Sequence, residues 1–224
     1  MKHSTTSQKF TIALTATKLR ALLIVGAPGS GKGTQGRALG ALPRFVHCSC
    51  GDVFRSIDVG TRLGRKFLEY SRTGRLMPDA ATIELWLTHI AGIRSRGLFD
   101  PSSDYLVLDG IPRNLRQARL MDSIIEVKQV FNLCCPSRRT LIVRVRQRAL
   151  RENRPDDADE SVIQRRLDVY ESESRPLLEH YPTEIVHAIN ATRPPPLVLK
   201  EILDVIITGE FRDHRQPESS TRNS

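Results

Sequence analysis

The stretch Leu22-Leu23-Ile24-Val25-Gly26-Ala27-Pro28-Gly29-Ser30-Gly31-Lys32-Gly33-Thr34 passes from an apolar run through a glycine-rich turn into a helical pattern opening at Lys32. Four apolar residues in a row, with no polar alternation, read as a strand buried on both faces, as in a parallel sheet. The glycines let successive N–H groups turn into one concavity, and the helix that follows adds the positive end of its dipole. Lys32 brings a charge within reach of transferring phosphates. Strand, spacing, lysine and helix together make a phosphate-binding loop (P-loop) and predict that Gly29, Ser30, Gly31, Lys32, Gly33 and Thr34 hold a nucleotide. One deviation stands out: Gly33 follows the lysine directly, and the hydroxyl comes a place later at Thr34.

Outward from the loop, short apolar runs alternate with longer helical patterns. Residues 21–25, 45–48, 105–108, 130–133 and 185–189 read as buried strands, and 32–42, 80–95, 115–127, 138–150, 160–178 and 195–207 as helices. That alternation predicts an α/β fold of the P-loop NTPase kind: three layers, with a five-stranded parallel sheet between helices. Residues 51–77, helical without a strand, and the polar stretch 152–159 do not fit the alternation. Both are candidates for moving lids over the core.

The whole chain has 224 residues, the length of one domain with small insertions, and no apolar run near the roughly 20 residues that span a bilayer. Lys and Arg total 34 against 25 Asp and Glu, and 27 of the 34 are arginine. Arginine is the planar fork suited to phosphate and carboxylate, so the skew favours an anionic partner, against the alternative of an arginine-rich solvated surface. Cys48, Cys50, Cys134 and Cys135 form no C-x-x-C pair, which points to a reducing cytoplasm rather than a disulfide framework. His47, Cys48 and Cys50 are only half of a metal-ligand set. Residues 1–19 hold no acid and read as a disordered extension, with an organelle transit peptide as the alternative, and 211–224 read as a polar tail. The domain proper is expected over 20–210.

Further motifs recur in order. Ser49-Cys50-Gly51-Asp52-Val53-Phe54-Arg55, Gly74-Arg75-Leu76-Met77-Pro78, Asp109-Gly110-Ile111-Pro112-Arg113 with Gln117 four residues on, Arg148, Arg154 with Asp156-Asp157, Arg166-Leu167 with Tyr170, and Ala191-Thr192-Arg193-Pro194 follow one another along the chain. With the Gly33-Thr34-Gln35 variant of the loop, this series resembles the adenylate kinases among the nucleoside monophosphate kinases. The resemblance implies reversible transfer of a phosphoryl group from MgATP to AMP, with an AMP-binding insertion over about 50–79 and a short ATP lid over about 150–160.

It also implies roles for single residues. Asp109 would hold magnesium through water, and Lys32, Arg113, Arg148, Arg154 and Arg166 would surround the transferring phosphoryl group. Arg144 and Arg193 would join the P-loop on ATP. Cys50, Arg55, Arg75, Leu76, Met77, Gly110, Arg113, Gln117, Arg154 and Arg166 would form the AMP site, with Gln117 reading the base. No general base is needed, because a nucleotide phosphate is already an anion. The departures gather near the acceptor: Cys50 stands for the family's threonine, Met77 for its valine and Ile111 for its aromatic residue. They leave a UMP/CMP or broad monophosphate kinase as the alternative, and a nucleotide- or RNA-binding protein as one of another class. After Asp157 the family's arginine falls on Arg165 without a gap and on Arg166 with one. The short lid lacks the four cysteines of zinc-bearing relatives, so no zinc is expected, nor is a nucleic-acid or membrane partner, and a monomer is.

Overall fold

The computed structural model describes residues 17–152 and 159–210; Arg154, Asp156-Asp157, most of the expected extension 1–19 and all of the tail 211–224 lie outside them. The strands are β1 (Leu19–Gly26), β2 (Phe45–Ser49), β3 (Tyr105–Asp109), β4 (Ile125–Cys134) and β5 (Val186–Asn190). The helices are α1 (Lys32–Gly40), α2 (Cys50–Arg55), α3 (Arg62–Arg72), α4 (Asp79–Ser95), α5 (Leu115–Met121), α6 (Arg138–Arg151), α7 (Glu160–Val169) and α8 (Pro195–Glu210). All strand pairs are parallel, in the order β2-β3-β1-β4-β5. This is the expected five-stranded α/β sheet.

Central β1 shows why its run is apolar throughout. Ala21, Leu23 and Val25 pack with Trp86, Ile90 and Ile93 of α4, whereas Leu22 and Ile24 pack on the other face with Leu39 of α1 and Val198, Ile202 and Ile206 of α8. Alternate side chains of a strand point to opposite faces, so a sheet covered on both sides leaves no solvent face for polar residues. A third cluster joins Ala27 of the P-loop to Leu141 and Val145 of α6 and to Ile163 and Leu167 of α7. The helices on either side of the polar stretch 152–159 thus pack directly on the phosphate loop.

Two expected helices end early. The helix expected over 115–127 stops at Met121, and β4 begins at Ile125 instead of 130. Ile125, Glu126 and Val127 pair with Leu19, Arg20 and Ala21, and Leu22 then faces Gln129, so Lys128 is bulged out of the ladder. The β-branched Ile125 and Val127 take the ladder in preference to one more helical turn. The helix expected over 160–178 is α only to Val169; a π turn (Tyr170–Ser174) and a 3-10 helix (Arg175–His180) continue it. Pro176 causes the change, since it lacks an N–H and its ring would meet the carbonyl of Ser172 in an α-helix.

His47 of β2 lies across α1. A Cβ on Gly36 would sit 2.3 Å from His47 Nε2, and one on Gly40 would sit 2.5 Å from His47 Cβ and 3.1 Å from its backbone N. Helix propensity alone predicts that Gly40→Ala stabilises the protein, by up to about 1 kcal/mol. The clash lies next to the main chain and cannot be relieved by a rotamer, so the expected result is the opposite, a loss of about 1–3 kcal/mol and a lower Tm in a thermal melt.

Candidate active site

The parallel register sets several motifs side by side at the carboxyl ends of the strands. Ile24 is level with Asp109, Asp109 with Ser49, and Cys134 with Asn190. The P-loop, the Ser49-Cys50-Gly51 turn, the Asp109-Gly110 turn and the turn after β5 therefore open into one crevice, where ligands bind in open α/β sheets. The crevice is a cavity of about 600 Å³.

Within the P-loop, Gly29 and Gly31 have φ of 82° and 102°. Gly31 caps α1 with no side-chain hydrogen bond; Thr34 N–H donates to Gly31 O at 3.0 Å, and the N–H groups of Lys32 and Gly33 before it are the ones offered to an anion. Gly29 is constrained twice: beyond its left-handed backbone, a Cβ there would lie 2.6 Å from Leu141 O on α6. The P-loop and α6 touch backbone to backbone, and this carries the cations of α6 over the loop. Arg144, Arg148 and Arg151 all line the cavity. Arg144 is steadied by donating to Ala191 O at 2.8 Å.

Lys32 folds back over the loop, donating to Gly26 O at 2.7 Å and Ala27 O at 3.1 Å. Arg55 and Arg113 lie across glycines: a Cβ on Gly51 would be 3.0 Å from Arg55 Nη2, and one on Gly110 2.8 Å from Arg113 Nη2. Arg55 is also paired with Asp52. Asp109 is 9% exposed, and its Oδ2 would stand 3.5 Å from a Cβ on Gly33. Gly33 thus keeps space open between Asp109 and the start of α1. A hard carboxylate beside a phosphate loop suits magnesium, which keeps most of its waters and needs one or two protein oxygens. Among the described residues, no three or more His, Cys, Asp or Glu side chains are grouped as a metal site.

The remaining expected residues divide into those that line the cavity and those turned from it. Ser30, Thr34, Cys50, Leu76, Met77, Gln117, Arg166 and Arg193 line it. Arg166 approaches Ser71 Oγ at 3.4 Å, whereas Arg165 donates to Thr73 O and stays outside, so the gapped register brings an arginine to the cavity. Arg75 lines the rim, but its guanidinium stacks 4.8 Å from the Tyr70 ring centre and pairs with Glu69. Ile111 is 1% exposed in the core and does not line the cavity, so its effect on an acceptor pocket is indirect. Sequence reasoning missed Arg37, Arg151 and Tyr70, which also line the cavity, as does Tyr170, which was part of a motif but had no role assigned. The spacing of Arg144, Arg148 and Arg151 along one helix face was a usable signal for Arg151, and the motif after Arg166 was one for Tyr170; nothing in the sequence marked Tyr70.

The sequence profile of the family described as adenylate kinase matches residues 24–186. The chain is 34% identical to an adenylate kinase of Corynebacterium urealyticum over 167 residues, covering 74% of this chain and 88% of the relative. It belongs to the adenylate kinase family. An adenylate kinase of a Cyanothece species is 38% identical over 166 residues (71% and 80% covered), and one of Leptospira biflexa is 33% identical over 179 (77% and 91%). In a member of this family, the arginine-rich composition has a place to go. Nine arginines and Lys32 line the cavity, against three acids, Asp52, Asp109 and Glu152.

Lys32 stands among these charges, but its own burial acts on it most. Burial pushes its pKa down from 10.5 to about 8; Asp109 pulls it back up in part, and Arg148 and Arg113 push it further down. A lysine whose folded pKa lies below its unfolded value costs stability while it is charged. The cost is full below about pH 8 and fades as pH rises toward 10.5. Lys32→Met is therefore expected to raise the Tm of the ligand-free protein at pH 7, by a few degrees, with the advantage shrinking in melts between pH 8 and 10.5.

Proposed function

We propose that the protein is an ATP:AMP phosphotransferase that converts MgATP and AMP reversibly into two ADP. One observation carries the reading: a single cavity is lined by the P-loop with Lys32 and Asp109, by Arg144, Arg148 and Arg193, and by Arg55, Arg113 and Gln117. A pure binder of one nucleotide has no use for cations on both sides of a phosphoryl group.

In this reading, the N–H groups of the loop from Gly29 to Thr34 cradle the ATP phosphates, and Lys32 leaves Gly26 O and Ala27 O to follow the γ-phosphoryl group. Asp109 holds the magnesium of MgATP through water. Arg144 and Arg193 lie along the ATP base and sugar. Arg55 and Arg113 bind the AMP phosphate, and Arg148, Arg166 and Arg154 neutralise the charge that spreads over the equatorial oxygens during transfer. Gly110, Cys50, Arg75, Leu76, Met77 and Gln117 enclose the AMP nucleoside. Positioning and charge do the work, since the acceptor phosphate arrives as an anion. Water would compete as acceptor, so residues 50–79 and about 150–160 close over the nucleotides as lids on a core of 20–210.

The protein acts as a monomer in a reducing cytoplasm, a setting supported by four free cysteines. Among the described residues, no helix is long and apolar enough to cross a membrane. A pyrimidine acceptor is the second reading, and Cys50 favours it. Its thiol, pushed up to about 11 by burial, is a neutral and weak donor at the acceptor side.

A coupled assay with ATP and AMP, CMP, UMP or GMP tests the assignment, with AMP expected to be fastest. Activity with none of them sinks the kinase reading, and faster turnover with CMP sinks the base assignment. Lys32→Met is expected to lower kcat by about 10²–10³ or more, and near-normal turnover refutes its role. Cys50→Thr is expected to lower KM for AMP by about threefold, the effect of replacing a weak thiol contact by one ordinary hydrogen bond; an unchanged or higher KM counts against this acceptor pocket.

A further inference from the structure

Gln117 is 1% exposed, yet it lines the cavity. Both ends of its carboxamide are held. Nε2 donates to Asp79 Oδ1 at 2.9 Å, and Oε1 accepts from the backbone N–H of Arg113 at 2.7 Å. A carboxylate only accepts and an N–H only donates, so these partners allow one of the two flips of the amide and forbid the other. Asp79 is fixed in turn. It is the first residue of α4, its Oδ1 also accepts from Asn114 Nδ2 at 3.1 Å, and Arg116 lies 3.6 Å from Oδ2. Asn114 Oδ1 meanwhile caps α5 by accepting from Gln117 N at 2.8 Å. Asp79 itself does not line the cavity.

After these bonds, the amide keeps one N–H and one lone pair, in a fixed order. Adenine presents an N1 acceptor beside an N6 donor. Hypoxanthine presents the reverse, an N1 donor beside an O6 acceptor. Whether the amide is turned one way or the other therefore decides which of the two edges it matches.

We propose that Asp79 is a positioning residue that locks the Gln117 carboxamide and so sets the preference for an adenine over a 6-oxopurine acceptor. The proposal rests on the AMP reading above. Asp79 acts through Gln117 and touches neither nucleotide. Arg113, whose side chain serves the acceptor phosphate in that reading, supplies its backbone to the same lock, so the base and phosphate ends of the acceptor site are joined through one residue.

The test compares AMP with IMP, which differ at this edge, in the wild type and in Asp79→Ala, Asp79→Ser and Asp79→Asn, with thermal melts of each. In Asp79→Ala the AMP:IMP ratio of kcat/KM should fall by about tenfold, while KM for ATP stays within about twofold, because an amide held only at Oε1 by the Arg113 N–H can swing out of line and loses discrimination between opposite hydrogen-bond patterns. Asp79→Asn, whose Oδ1 can still accept, should restore the ratio to within about threefold of wild type. Asp79→Ser retains a residue favoured at helix starts but falls short of Gln117, so it gives the same loss if the alanine variant does not fold. An unchanged ratio overturns the proposal. So does an equal fall for AMP and IMP, which would make Asp79 a general support of the fold. A wild type that does not phosphorylate AMP removes the underlying reading first, and the lock with it.

Discussion

The parallel register of three strands, Ile24 level with Asp109 and Asp109 level with Ser49, is the constraint on which the crevice depends. A shift of one residue would turn every side chain of the shifted strand to the other face of the sheet and send Asp109 into the packing. The register is secured by two apolar cores at once, because β1 gives alternate residues to opposite faces. Chemistry at the edge is thus fixed by packing in the middle, and the charged residues are carried there by elements whose positions do not depend on charge.

The crevice brings together groups that repel one another. Nine arginines and one lysine line a common space, and although Arg37, Arg55, Arg75 and Arg193 are paired with acids, the crowding opposes folding; the pKa of Lys32 is lowered mainly by burial, with Arg148 and Arg113 adding to it. Beyond those ion pairs, two features hold the assembly. The apolar contact of Ala27 with α6 and α7 clamps the helices carrying Arg144, Arg148 and Arg166 onto the loop. The absent side chain of Gly29 gives room for a helix backbone that a Cβ would block, and those of Gly51 and Gly110 give room for two guanidinium groups that a Cβ would push aside. A polyanionic ligand then meets a site whose unfavourable charge it relieves.

Much of this was legible from residues alone. The five strands, the P-loop and the series of arginine motifs could be read because each is local: an apolar run, a glycine spacing, a short motif. What could not be read depends on partners distant in sequence. The early start of β4 follows from pairing of Ile125 with Leu19, and the stop of α5 follows from that. The choice between Arg165 and Arg166 was a question of which helix face meets Ser71 and which meets Thr73, 95 and 92 residues away. Ile111, beside Pro112 in a motif that lines the cavity, looked like a pocket residue until the core was seen to enclose it. Asp79 gave no signal at all, since its meaning lies in a carboxamide 38 residues on.

Cys48 sits on β2, 1% exposed, with its thiol pushed up to about 12, mainly by burial. At neutral pH the reactive thiolate is then a vanishing fraction of the folded population, and an alkylating reagent reaches this sulfur chiefly when the sheet edge opens. Mass-resolved labelling of Cys48 with and without bound nucleotide would read the free energy of that opening, using a chemical clock already built into the chain.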